Sequence, residues 1–385
     1  MNNFIPYGRQ DISDEDINEV IKVLRSDWLT QGPSIELFEK GLADYTGAKF
    51  SSVACNATAA LHLACLAFGI SKGDLVWTSP ISFVASSNCA LYCGATVDFV
   101  DIDPRTFNMC PDSLEEKLKL AASRNELPKL IIPVHIAGQS CDMRRISELA
   151  KRYDIKVLED ASHAVGGSYL DQKIGSCQYS DATVFSFHPV KIITTAEGGV
   201  VLSNDKDLIH KVNLYRTHGI TKDKMDFVNN SKGDWYYEQQ VLGFNYRLSD
   251  IHATLGLSQL KRLNEIISKR NEIAVKYNNA FLDVDKIQTP YIIENTTSSF
   301  HLYIINIPEQ DKERVFSGLR KKNIGVNLHY YPIHMHPYYK KLGFKEGLFP
   351  EAEKYWKKAI SIPIFPTIST EDLNYSIASV KELLT

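Results

Sequence analysis

Between about Phe38 and Leu202, short apolar runs alternate with segments of helical period. That alternation predicts a wound, mostly parallel β-sheet with crossover helices. The spacing predicts helices over Thr58–Phe68, Val84–Tyr92, Ser113–Ala122 and Met143–Tyr153, with strands over Leu75–Thr78, Thr96–Val100 and Lys129–Val134 between them. Three further runs rich in Val, Leu and Phe, Lys156–Glu159, Ala182–Phe187 and Gly198–Ser203, read as strands. Ligands of wound sheets bind beyond the carboxyl ends of the strands, so the residues that follow such runs are the first candidates for chemistry.

From Ile251 to Phe281 the period stays helical, with Lys261, Arg262, Lys269 and Arg270 among the polar positions, and the segment reads as one long bridge. Beyond it the elements shorten, including Phe300–Ile307 and Lys312–Lys321, and a polar, aromatic stretch covers Asn327–Tyr339. No internal repeat is visible. A domain change is therefore expected near residue 255, between a large unit over 1–255 and a smaller α+β unit over 256–385.

With 44% hydrophobic and 23% charged residues among 385, the chain can bury a sizeable core. Its 43 basic against 46 acidic residues create no overall field for nucleic acid or an anionic membrane, so any phosphate must be bound locally. The opening Met1-Asn2-Asn3-Phe4-Ile5-Pro6-Tyr7 does not read as a signal peptide, and no stretch reads as a bilayer span. Seven cysteines, all in the first half and without CxxC or His-cluster spacing, point to reduced thiols, a cytoplasmic location and no metal site.

The segment Phe185-Ser186-Phe187-His188-Pro189-Val190-Lys191-Ile192-Ile193-Thr194-Thr195-Ala196-Glu197-Gly198-Gly199 leaves a strand, turns at Pro189, presents one lysine among apolar neighbours and re-enters a strand. A lysine so placed has a depressed pKa if buried, which suits imine chemistry, although spacing alone serves a surface lysine equally. Asp160 lies 31 residues upstream in Leu158-Glu159-Asp160-Ala161-Ser162-His163-Ala164, at the end of a strand. A fixed carboxylate there can keep a pyridine nitrogen protonated, and Glu159 would point to the opposite face. Asn56-Ala57-Thr58-Ala59-Ala60 opens a helix with small residues, as a phosphate site requires, and reads equally as an ordinary cap. Phe83 is a candidate to stack on a ring, or a core aromatic.

Taken together, Asn56–Ala60, Pro80–Phe83, Glu159–Ala164, Ser186–Lys191 with Thr194–Gly199, and Gly243-Phe244-Asn245-Tyr246-Arg247 resemble the motifs of the DegT/DnrJ/StrS sugar aminotransferases, in order over nearly the whole chain. The resemblance implies the type I aspartate aminotransferase fold, pyridoxal 5'-phosphate cycling through pyridoxamine 5'-phosphate, and a homodimer with active sites at the interface. It assigns Lys191 as the Schiff-base lysine and Asp160 to the pyridine nitrogen. Ser186 and the backbone of Ala57 and Thr58 would hold the phosphate, with Phe83 against the ring, His163 near its phenolic edge and Asn245 reaching in from the neighbouring subunit. The large unit then becomes the cofactor-binding domain with an N-terminal arm.

Tyr7, Asp27-Trp28-Leu29-Thr30, Ile81–Ala85 and the wording around Phe187-His188 are most similar to the pseudaminic acid branch of that family. Its members aminate C4 of a UDP-linked 2-acetamido-2,6-dideoxy-4-hexulose of the L-arabino series, with L-glutamate as donor. This implies substrate contacts from Tyr7, Asp27, Trp28, Leu29, Thr30, His188, Asn327, His329, Tyr330 and Tyr331. Tyr331 stands where relatives carry a basic residue, which leaves the diphosphate contacts open. Three other readings compete. A dehydratase of this fold has histidine at position 191, a dinucleotide oxidoreductase needs a glycine-rich loop that Asn56–Ala60 lacks, and a non-catalytic binding protein would lack the lysine.

Overall fold

The computed structural model describes residues 4–384. Its main sheet has seven strands: β1 (Phe50–Ala54), β2 (Leu75–Thr78), β3 (Thr96–Phe99), β4 (Leu130–Ile132), β5 (Lys156–Asp160), β6 (Ala182–Ser186) and β7 (Gly199–Ser203). They lie in the order β1-β7-β6-β5-β4-β2-β3. The pairs from β3 to β6 are parallel, and only β7 runs against its neighbours β1 and β6.

Because side chains alternate across a strand, each strand feeds two cores. Val76, Leu130, Ile132 and Leu158 pack on one face with the helices Ala57–Ala67 and Ala85–Tyr92, while Trp77, Ile131 and Val157 pack on the other with Leu114, Leu118, Ile146 and Leu149. Covered on both faces, the strands are nearly uninterrupted apolar runs, which is why they were readable.

Two helices, Asp14–Leu24 and Pro33–Thr46, precede the sheet, and neither is among the helices expected from the sequence. The first opens on a capping box between Ser13 and Asp16. The buried Asp16 carboxylate then accepts from Ser258 at 2.6 Å, Gln259 at 2.8 Å and Arg262 at 2.8 Å. These contacts correct the single bridge expected over Ile251–Phe281. The chain forms two helices, Asp250–Lys261 and Leu263–Phe281, interrupted at Arg262, whose guanidinium is committed to Asp11 and Asp16.

The C-terminal part has its own antiparallel pair, Tyr303–Asn306 with Ala359–Ile362, over a core that includes Ile273, Tyr277, Phe281, Val315, Leu319 and Val380. Ile333, Tyr339 and Tyr355 instead join the core of the main sheet, and the Ile333 amide donates to Pro80 O at 2.8 Å. The stretch after Asn327 is thereby held over the carboxyl ends of the strands. Among the described residues no helix is long and apolar enough to cross a membrane, no cluster is arranged to ligate a metal, and all seven cysteines are free.

Candidate active site

A cleft of ≈ 490 Å³ opens where the segments after β1, β2, β5 and β6 meet residues 327–330. Lys191, Asp160, Ala57, Thr58, Phe83, His163, Ser186, His188, Tyr7, Asn327, His329 and Tyr330 all line it.

After β1, Asn56 caps the helix Ala57–Ala67, its Oδ1 accepting from Ala59 N at 2.8 Å. Such a cap is worth about 1 kcal/mol and satisfies one of the free amides. The amides of Ala57 and Thr58 have no partner among the described residues and face the cleft at the positive end of the helix. Gly199 permits this placement, since a Cβ there would lie 2.6 Å from Ala57 N and 2.7 Å from Ala57 Cα. Ser186, at the end of β6, adds a hydroxyl to the same corner. Two unpaired amides, a hydroxyl and a helix dipole fit a phosphate.

Asp160 ends β5 and is 5% exposed. Its Oδ2 accepts from Ser86 Oγ at 2.5 Å and its Oδ1 from Ser162 Oγ at 2.6 Å. Glu159 faces the other side of the sheet, where His135, Ser180 and Thr183 hold it at 2.6, 2.5 and 3.2 Å. Lys191 stands in the connection from β6 to β7, which is pinned by Phe187 N to Gly198 O at 2.9 Å and Thr195 N to Phe187 O at 3.0 Å. Burial pulls its ammonium pKa down to about 8, against an opposing pull from Asp160. Its backbone amide donates to His188 O at 2.9 Å, while its half-buried side chain has no hydrogen-bond or ion-pair partner among the described residues.

The remaining wall is aromatic. Tyr330 Oη lies 3.1 Å from His163 Nε2, and His163 packs against His301 with ring centroids 4.4 Å apart. His329 Nδ1 is 2.7 Å from Ser361 Oγ, and the Tyr7 ring lies 5.3 Å from the His329 ring. Burial pushes His163 and His301 well below the usual imidazole range and His329 to about 3, with the Lys191 charge adding to each effect. All three imidazoles are therefore neutral near pH 7.

Several expected contacts do not line the cleft of their own chain. Asp27, Trp28, Leu29 and Thr30 are exposed, and Leu29 O accepts from Asp250 N at 3.0 Å while Thr30 bridges Ser249. Tyr331 packs against Trp356 and His336, with centroids 5.0 and 5.2 Å away, and does not line this cleft. Asn245 is exposed, bridges Thr217 and is not among the residues lining this cleft. Conversely, Ser82, Ser162, Glu197 and His301 line the cleft without having been singled out. Ser162 and Glu197 sat inside quoted motifs, whereas His301 lay inside Phe300–Ile307, a run that marks an element and not a site.

Residues 10–381 match the model of the DegT/DnrJ/EryC1/StrS aminotransferase family. The chain is 39% identical over 389 residues to the Bacillus subtilis spore coat polysaccharide biosynthesis protein SpsC, covering 100% of this chain and 98% of that one. It is also 39% identical to the Campylobacter jejuni UDP-4-amino-4,6-dideoxy-N-acetyl-beta-L-altrosamine transaminase, covering 96% and 95%. Among solved structures it superposes on Helicobacter pylori PseC, an aminotransferase of pseudaminic acid biosynthesis, with a TM-score of 0.91, 33% identity and 99% of both chains covered. Streptococcus pneumoniae Spr1654 in its PLP-form gives 0.89 at 30% identity, covering 99% and 98%. Matched over nearly its whole length, this chain belongs to the DegT/DnrJ/EryC1/StrS family and is a pyridoxal-phosphate-dependent sugar aminotransferase with the fold of those structures.

Proposed function

We propose that the enzyme moves the amino group of L-glutamate to C4 of a UDP-linked 2-acetamido-2,6-dideoxy-4-hexulose of the L-arabino series, giving UDP-4-amino-4,6-dideoxy-N-acetyl-β-L-altrosamine. What carries the catalytic part is the juxtaposition in one cleft of Lys191, poised near pH 8, with Asp160 and the free amides of Ala57 and Thr58. The similarity to the C. jejuni altrosamine transaminase and to H. pylori PseC supports the choice of sugar. The equal identity of the B. subtilis spore coat protein favours, as second reading, another nucleotide-linked 4-keto sugar.

In this reading the Ala57 and Thr58 amides and the Ser186 hydroxyl bind the cofactor phosphate, and Asp160 holds a proton on the ring nitrogen. Phe83 supplies an apolar face for the ring, and His163 offers a neutral imidazole to the phenolic oxygen. Pyridoxal phosphate supplies an electron sink and carries the amino group between donor and acceptor. Lys191 holds the cofactor and, once freed, its Nζ takes the proton from the α-carbon of glutamate and later delivers one to C4 of the sugar. Tyr7, His188, Asn327, His329 and Tyr330 orient the sugar.

Asn245 and Asp27–Thr30 are exposed, and the latter are joined to Ser249 and Asp250, a few residues beyond Asn245. We assign both to a second copy's cleft, in a homodimer whose sites are shared. The test of substrate is direct: UDP- and dTDP-linked 4-keto sugars of both C5 configurations are offered with glutamate or glutamine, and the amino product is identified by NMR. Turnover restricted to a dTDP-sugar, or amination at another carbon, overturns the assignment.

A further inference from the structure

Asp160 is gripped from both sides by hydroxyls with no role in the assignments above. Ser86, in the helix Ala85–Tyr92 and fully buried, places Oγ 2.5 Å from Oδ2, while Ser162 places Oγ 2.6 Å and its amide 3.2 Å from Oδ1. A carboxylate accepts and does not donate, so each serine spends its single proton on Asp160. Ser86 then has none for Ser82, whose Oγ lies 2.6 Å away, and Ser82 must be the donor of that bond. The result is a chain of fixed direction, Ser82 to Ser86 to Asp160, closed on the opposite oxygen by Ser162. Ser82 and Ser162 face the cleft, and Ser86 lies behind Asp160.

An aspartate carboxyl group is free to turn about its last torsion, which has broad, two-fold wells. A donor on each oxygen removes that freedom, and bonds to a charged acceptor are the stronger kind. Ser162 fills both lone pairs of Oδ1 with its hydroxyl and amide, so the lone pair left for a further partner is on Oδ2. We propose that Ser86 and Ser162 are positioning residues that lock Asp160 in the one orientation from which it meets the cofactor's ring nitrogen. The inference rests on assigning Asp160 to that nitrogen. Serine suits the task because its short side chain loses little freedom on being fixed.

The test compares two ligands of the cofactor-free enzyme by fluorescence titration: pyridoxal phosphate, and its 1-deaza analogue, in which C–H replaces the ring nitrogen. Wild type should prefer pyridoxal phosphate. Ser86→Ala and Ser162→Ala should each shrink that preference by about tenfold, the loss of one hydrogen bond to a charged group, while leaving affinity for the analogue within about twofold. Equal weakening of both ligands would reduce the serines to a structural role, and no weakening would remove them altogether; either result overturns the proposal. Asp160→Asn separates this from its premise. If it keeps the full preference, the Asp160 assignment itself fails; if it loses the preference while the serine variants keep it, only the clamp fails. Should Ser86→Ala not fold, Ser162→Ala decides, because Ser162 sits at the cleft surface.

Discussion

Tyr330 and His163, 167 residues apart, meet at 3.1 Å between hydroxyl and Nε2 and join the C-terminal segment to the end of the main sheet. Burial, then the charge of Asp160, raises the Tyr330 pKa, while burial lowers that of His163, so the contact is uncharged on both sides at neutral pH. Tyr330→Phe should cost about 2- to 12-fold in kcat/KM, the worth of one neutral hydrogen bond. Because burial holds the His163 imidazole well below its ordinary range and neutral near pH 7, the acid limb of the pH profile should not move. A shifted limb in the steady-state profile would show that His163 titrates.

Lys191→Met should abolish transamination, to below about a thousandth of wild type, since both the attachment and the proton carrier are lost. The same variant should stabilise the cofactor-free protein. The folded-state pKa of about 8 lies below the ordinary 10.5, so between these values the unfolded chain binds more protons and wild-type stability rises with pH. Below pH 8 the desolvated ammonium is a constant cost of roughly 3 kcal/mol, which methionine removes. Thermal unfolding of the two apoproteins at pH 7 and pH 10 checks this. The gap should be widest at pH 7 and narrow towards pH 10.

Asp160→Asn should retain cofactor binding but slow both half-reactions by about a hundred- to thousandfold, because an amide does not keep the ring nitrogen charged. Stopped-flow traces with glutamate alone, and then with keto sugar alone, isolate the two halves. Wild-type rates in either would leave Asp160 a structural acid.

How far all this was legible depends on whether a residue acts within its own element. Leu75–Thr78 was read to the residue because a strand buried on both faces is an apolar run between turns. Lys191 and Asp160 stood out because each follows such a run, in a motif whose neighbours serve the same cleft. The break at Arg262 left no mark on the helical period, since its partners Asp11 and Asp16 are some 250 residues away and only the fold brings them together. His301 and Ser86 were invisible for the same reason. Tyr330 and Tyr331 were both expected at the substrate, and only the fold shows one on His163 and the other on Trp356.

Asn245 is exposed and does not line its own cleft, and its assignment to a second copy predicts complementation. Lys191→Ala and Asn245→Asp should each be inactive, the aspartate by repelling the cofactor phosphate. Mixed and reassembled, about half the dimers are hybrids with one intact site, so activity should recover to about a quarter of wild type. No recovery despite demonstrated subunit exchange would return Asn245 to its own chain.

Trapping the cofactor tests the central assignment most directly. The holoenzyme is reduced with borohydride, digested, and the peptides are sequenced by mass spectrometry. The account predicts loss of the visible band and a single pyridoxyl-modified residue, Lys191, in the peptide that contains His188 and Thr194. Modification of any other lysine, or no covalent label at all, would contradict it.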